Sequence, residues 1–273
     1  MIQRKNKLHE IHIVVCMKVT PKPEEVSVDR RTKLLDRANA RSEINPPDMN
    51  ALEMALSISD KGGGRIDILS MGPPFFEPVL RVGLAVGAEH IYLMSDPAFG
   101  GADTLATTYT LAKGIEKIGS VDLVICGEES SDGATGQVPP GLAEWLDWNQ
   151  ITMVNQLSLD AVRGEITGRR EVPGGYELHQ TRLPAVVSVK TASNEPRFMN
   201  YQIIERLSSE DRVTIWGKND IDVEKGRIGL RGSPTIVSGL AQAPSRERRR
   251  EFLTGTTEQL VTQLYSILKP RIQ

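Results

Sequence analysis

The chain has 273 residues, with 33 Lys plus Arg against 35 Asp plus Glu for a net charge of −2, and it is 39% hydrophobic and 25% charged. That balance is ordinary for a globular protein and lacks the basic excess of a general nucleic-acid binder. No apolar run reaches the ~20 residues needed to cross a bilayer, so direct membrane insertion is not expected. Two cysteines make no disulfide framework, and the opening MIQRKNKLHE lacks the apolar core of a secretory signal. A cytoplasmic protein is the expectation.

The first strong element is IHIVVCM at 11–17, a near-continuous apolar run of the kind found in strands covered on both faces. RIDILSMG at 65–72, HIYLM at 90–94 and VDLVICG at 121–127 repeat that character. Helix-length periods separate them. Met49, Leu52, Ala55, Leu56 and Ser59 share one face of 48–60, and Val79, Leu80, Leu84 and Ala85 share one of 76–86. Leu105, Thr108, Leu111, Ala112, Ile115 and Ile118 do so in 103–118. This alternation predicts a doubly wound α/β fold, with a mostly parallel sheet and helices on both faces.

After Gln150 the pattern changes to strand-like runs at 151–159, 164–172, 176–183 and 184–190, with Gly174-Gly175 as a hairpin signal. An antiparallel extension over about 151–183 is therefore expected, with 184–190 apolar enough to rejoin the first sheet. Residues 1–216 read as one nucleotide-binding domain of Rossmann-like type. The weakly periodic 217–256 tract reads as an arm, and 257–269 as a terminal amphipathic helix carrying Leu260, Leu264 and Leu268.

Ligands of doubly wound folds sit beyond the carboxyl ends of the strands, and four segments lie there. In 127–146, Gly127, Gly133 and Gly136 let backbone approach a ligand. Ser130, Ser131 and Thr135 offer hydroxyls, Asp132 could accept from a ribose, and free N–H groups at a helix start near Val138 suit a phosphate. A plain strand–helix loop is the alternative, although eleven small or polar residues are long for one. In 99–112, two glycines precede Asp103 and Thr104, good N-cap residues, and Thr104 and Thr107 lie on the first turn. That suits a pyrophosphate or simply a well-capped helix; neither the Walker pattern nor GxGxxG is present. In 44–56, Asn45 before Pro46-Pro47 fixes a turn and Asp48 can cap the helix, or Asn45 reads an adenine edge. The fourth segment ends a strand at Cys16-Met17-Lys18; Cys16 and Cys126 read as small buried thiols. His9, His12, His90 and His179 have no metal-ligand spacing with them, and no nucleophile–base pair is evident.

In order and spacing, INPPDMNALEMAL, SMGPPFFEPVLRVGLAVGAEHIYLMSD, FGGADTLATTYTLA, VDLVICGEESSDGATGQV and NEPRFMN at 194–200 resemble the β subunit of electron-transfer flavoproteins over about residues 10–270. The resemblance implies a redox carrier rather than a classical enzyme. It implies a heterodimer with an FAD-holding α subunit, onto which the 217–273 arm and helix would wrap. In one branch the β subunit holds AMP; in the flavin-based bifurcating branch the same pocket holds a second FAD that accepts a hydride from NADH. The FGGADTLAT segment is similar to the bifurcating branch, where it approaches the pyrophosphate and ribityl chain, and favours FAD over AMP.

By that similarity the cofactor would contact Cys16, Asn45, Asp48 and Met71, then Gly101, Ala102, Asp103, Thr104 and Thr107. The loop would add Gly127, Ser130, Asp132, Gly133, Ala134, Thr135, Gly136, Gln137 and Val138. Residues 194–207 correspond to the loop that grips an acyl-CoA dehydrogenase-like or other flavin or iron–sulfur redox partner, with Arg197, Tyr201 and Ile203 as contacts; from the residues alone, Tyr201 and Ile203 read instead as packing back on this subunit. Arg246, Arg248, Arg249 and Arg250 read as a solvated stretch of the arm or a contact to α. Three departures stand out. Val19-Thr20-Pro21-Lys22 follows Lys18 where bifurcating members carry a QVPD-like run. Glu128 follows Gly127 where the family usually has Lys or Arg. Thr135-Gly136-Gln137 resembles the AMP type.

Overall fold

The computed structural model describes residues 10–22, 27–28, 35–36, 41–199, 211–235 and 252–272. The chain divides into two compact units, Met1–Gly239 and Leu240–Gln273. In the first, β1 (His12–Cys16), β2 (Val19–Pro21), β3 (Ser27–Val28), β4 (Leu35–Asp36) and β5 (Ser42–Ile44) lead into helix α1 (Pro46–Gly62). Then come β6 (Arg65–Met71), α2 (Glu77–Val86), β7 (His90–Met94), α3 (Thr104–Ile118), β8 (Leu123–Gly127) and α4 (Val138–Leu146). Strands β9 (Asn149–Asp160), β10 (Glu165–Val172), β11 (Gly175–Arg182), β12 (Ala185–Val189) and β13 (Val213–Trp216) complete the unit. The second unit contributes helix α5 (Thr257–Ile272).

Nine strands form the main sheet in the order β11-β10-β9-β12-β8-β1-β6-β7-β13. Every pair from β9 to β13 is parallel, and β10 runs antiparallel to both β9 and β11. Alternation along the strands sends side chains to two cores. Ile13, Val15, Ile68 and Ile125 meet Leu52 and Ala55 of α1 and Leu80 and Leu84 of α2. Val14, Leu69, Val124 and Val186 meet Tyr109 and Ile115 of α3 and Leu142 of α4. The doubly wound fold and its antiparallel extension stand as the sequence pattern predicts. The hairpin turn is made at Gly174, whose φ of +88° lies in the region that favours glycine.

Three features differ from expectation. Val213–Trp216 forms an edge strand parallel to β7, a short run with no flanking periodicity to announce it. Leu105 points to solvent, 49% exposed, because Ala106, Tyr109 and Thr110 take the inward positions of α3. Residues 217–235, read as the start of an arm, belong to the first unit and pack into its core. Ile221 and Ile228 are buried in the α3 core, and the Tyr109 hydroxyl accepts from Glu224 N at 2.9 Å. Two isolated isoleucines among polar residues give too little periodicity to register as core. The predicted terminal helix is present, and Leu264 and Leu268 of its stripe are exposed.

Candidate functional site

At the carboxyl edge of the sheet, Asp48 joins the ends of two strands. One carboxylate oxygen accepts from Lys18 N at 2.7 Å, the other from Gly127 N at 3.1 Å. Asp48 is therefore not a helix cap, because both oxygens face strand ends and the N-cap position belongs to Asn45. Burial pushes its pKa up to about 7, against the lowering effect of those amides. The fit is close: a Cβ on Gly127 would strike Asp48 Oδ1 and Pro47. Asp48 shapes the edge from beneath and is 6% exposed.

Asn45, 1% exposed, holds the long loop that follows β8. Its Nδ2 donates to Glu129 O at 2.9 Å, and its Oδ1 accepts from Ser131 N at 3.0 Å. Both amide atoms are thus engaged by backbone. Lys18 Nζ donates to Asp132 Oδ1 and to Ser130 Oγ, the latter at 3.4 Å, so a cation lies against the loop. Within it, Ser130 O accepts from Gly133 N and Ala134 N.

Ala134 (φ +47°) and Gly136 (φ +62°) both adopt the left-handed conformation. Alternation into that conformation turns successive N–H groups toward one point and makes an anion-binding concavity. Among the described residues no acceptor meets the amides of Thr135, Gly136 or Val138. The expectation of several free donors at the start of α4 needs correction, because Pro139 and Pro140 occupy the first turn and have no N–H. The donors are in the loop.

The second glycine segment is built differently. Asp103 caps α3, accepting from Ala106 N at 3.1 Å, as its residue type predicts. Its own N–H, however, donates to Ser233 Oγ at 2.8 Å, and Thr235 N and Oγ1 donate to its carboxylate at 3.1 and 2.8 Å. Leu230 N donates to Gly100 O, and a Cβ on Gly101 (φ +71°) would touch Leu230. Residues 229–235 form a strap over Gly100–Asp103. Desolvation pushes the Asp103 carboxyl up, but the bonds it accepts from Ala106 and Thr235 together outweigh it and hold the group below its ordinary range. Thr104 Oγ1 donates to Gln137 Oε1 at 2.9 Å, so the two glycine segments abut. Ala102 lies in the strapped turn, and Thr107 N donates to Asp103 O within the first turn of α3.

Cys16 and Cys126 lie side by side in register on β1 and β8, both buried. Their mutual contact and burial push the Cys126 thiol well up, which suits inert core thiols. Met71, on neighbouring β6, is half-buried behind the edge. His12 and Arg65 flank buried Asp67 at the opposite edge of the sheet, 2.9 Å from its carboxylate. Among the described residues, no group of three or more His, Cys, Asp or Glu could hold a metal ion. Nor is any described helix long and apolar enough to cross a membrane.

Arg197 is riveted to α1: its guanidinium reaches Glu53 at 2.9 Å and Asp60 at 2.8 Å. Tyr201 and Ile203, with the arginines at 246–250, lie outside the described residues. The partners of Arg197 on α1, Glu53 and Asp60, belong to a polar stripe with Asn50 and Ser57 at three- and four-residue spacing. That periodicity was available to find them. Ser233 and Thr235 had no such signal, since their contacts to Asp103 span 130 and 132 positions of sequence.

Residues 32–212 match the family model described as Electron transfer flavoprotein domain. The chain is 38% identical over 261 residues to the electron transfer flavoprotein subunit beta of Thermoanaerobacterium thermosaccharolyticum, covering 96% of this chain and 99% of the relative. It is 38% identical to CarD, a subunit of the caffeyl-CoA reductase-Etf complex of Acetobacterium woodii, over 96% of this chain and 99% of the relative. Protein FixA of Azotobacter vinelandii is 37% identical over 89% and 88%. With a family match over most of the chain and relatives spanning nearly their full lengths, this chain belongs to the electron transfer flavoprotein family, among its β subunits and FixA proteins.

Proposed function

We propose that the carboxyl-edge loops hold the adenosine diphosphate portion of FAD. The chain then serves as the β subunit of a heterodimer with an α subunit, passing electrons between NADH or a dehydrogenase and an acceptor. The supporting observation is the Thr104–Gln137 hydrogen bond, which sets two glycine-bearing segments side by side. A mononucleotide needs one phosphate cradle; a dinucleotide needs length. The name of the relative CarD, from a caffeyl-CoA reductase-Etf complex, supports work within a redox assembly.

The residues fit such a group. The unpaired amides of Thr135, Gly136 and Val138 would receive a phosphate, Lys18 would place a cation beside it, and Asp132 and the edge at Cys16 and Met71 would frame the nucleoside. Bound there, a flavin supplies one- and two-electron redox chemistry. The protein's part is to bind, orient and shield; none of these side chains forms a covalent bond in this scheme. AMP is the second reading, favoured by one observation: the Asp103 N–H is already bonded to Ser233, leaving a single amide concavity that suits one phosphate.

The test is the visible spectrum and nucleotide content of the chain co-purified with its α partner. Two flavins per heterodimer support the FAD reading; one flavin plus AMP overturns it. For the arm, removal of 240–273 is the informative truncation and is expected to abolish association with α. A cut at 217 would also remove the strap and confound the result. Retained co-purification after the shorter cut would count against the arm's role.

A further inference from the structure

Glu128 stands where the resemblance predicts a Lys or Arg, at the first position of the nucleotide loop. Its carboxylate does not face the loop amides. It accepts from Thr191 N at 2.7 Å, while Glu128 N donates to Val189 O at 2.9 Å. The loop's root is thereby tied to the segment that leaves β12. Three positions further on, that segment is riveted to α1. Asn50 Nδ2 donates to Asn194 O and Oδ1 at 2.8 and 2.9 Å, and Asn194 Nδ2 returns a bond to Asn50 O at 3.0 Å. Arg197 N and its guanidinium reach Glu53 at 2.9–3.0 Å. Phe198, next along, is 99% exposed. The same helix begins at Asn45 and Asp48, which hold the other side of the nucleotide loop.

From this closed ring of contacts we infer that Glu128 is a positioning residue coupling occupancy of the nucleotide loop to the order of the 191–198 segment that presents Phe198. The inference rests on the reading of the loop as a nucleotide site. The physical basis is conformational entropy. A phosphate bound by the Thr135, Gly136 and Val138 N–H groups engages amides that have no protein acceptor among the described residues and so restrains the loop beyond its bonds to Asn45, Lys18 and Thr104. The carboxylate at the loop's root passes that restraint to Thr191, so ordering of the second segment costs less once the first is fixed. Linkage makes the effect reciprocal: whatever docks on the segment tightens the nucleotide by the same factor. A cation at 128 could not accept from Thr191 N, so this connection belongs to the chain's departure from its family pattern.

The experiment is amide hydrogen exchange on the full chain, with AMP as the probe at concentrations that calorimetry shows to be saturating for each variant. In the wild type, AMP is expected to slow exchange at 192–197 by about fivefold or more. Glu128→Ala is expected to bind AMP and lose that slowing. Glu128→Gln, whose amide oxygen can still accept from Thr191 N, is expected to keep it. Glu129→Ala, which removes the adjacent exposed carboxylate, is expected to keep it as well. Bound AMP with unchanged exchange at 192–197 in the wild type overturns the coupling, as does full slowing in Glu128→Ala or its loss in Glu129→Ala. Absence of AMP binding to the wild type is a separate result that overturns the nucleotide site and the coupling with it.

Discussion

Two segments at the carboxyl edge have similar composition and opposite construction. The 127–138 loop carries Gly133 and Gly136 and leaves amides at Thr135, Gly136 and Val138 without a protein acceptor among the described residues. The 99–104 segment carries Gly100 and Gly101, yet its Asp103 N–H and carboxylate are bonded to Ser233 and Thr235 of the strap. Composition marks a place where backbone can come close to something. Whether that something is a ligand or another stretch of the same chain depends on what else the fold delivers there.

The contrast can be broken most forcefully at the strap. Gly229 has φ +54°, and a Cβ there would strike Ala98 O. Gly229→Ala is therefore expected to cost about 3 kcal/mol in urea unfolding and to weaken FAD far more than AMP. Equal loss of both nucleotides would show that the strap serves the whole edge rather than one segment.

The loop is tested next through Asn45. Removing its two hydrogen bonds in Asn45→Ala should cost about 2 kcal/mol and lower AMP affinity about tenfold, or roughly 1.4 kcal/mol. Unchanged affinity in calorimetry would mean that the loop keeps its shape without α1.

A third prediction concerns Asp48 and pH. Its folded pKa of about 7 lies above the ordinary 3.8, so the native state binds the proton more tightly than the unfolded chain. The stabilisation is complete below pH 3.8 and is lost as pH rises through 7. Asp48→Asn, which turns one accepting oxygen into a donor, should cost about 1–2 kcal/mol at pH 5. The difference from wild type should shrink toward pH 8 in denaturation curves. A difference that grows with pH would reverse the assignment.

The smallest effect is expected at Lys18, whose side chain is 44% exposed. Lys18→Ala should change stability by less than about 1 kcal/mol but weaken AMP binding at low salt, with the deficit fading as salt is raised. A salt-independent loss would indicate a structural role for Lys18 in the loop instead.

Much of the fold was legible because parallel strands buried on both faces must read as apolar runs. IHIVVCM and VDLVICG could hardly be anything else once helix-length periods separated them. The capping role of Asp103 was equally plain, since N-cap chemistry acts over three residues. Asp48 was misplaced for the converse reason: its residue type fits a cap, but its partners Lys18 N and Gly127 N come from two different strand ends. The Arg197 rivet was half visible, its partners forming a helical stripe on α1 with nothing in sequence to say what faces it.

The sequence by itself determined the alternation of strands and helices, the two-sided burial of the central strands, the hairpin at Gly174 and the row of small polar residues at the strand ends. These depend on periodicity and turn chemistry, which are local. Only the tertiary structure decided which amides stay unpaired, that Ser233 and Thr235 close over Asp103, and that Glu128 turns to Thr191 rather than to the loop. Each of those is a contact between segments far apart in the chain, and hydrogen bonds of that kind are fixed by packing of the whole sheet and its helices, not by neighbours in sequence.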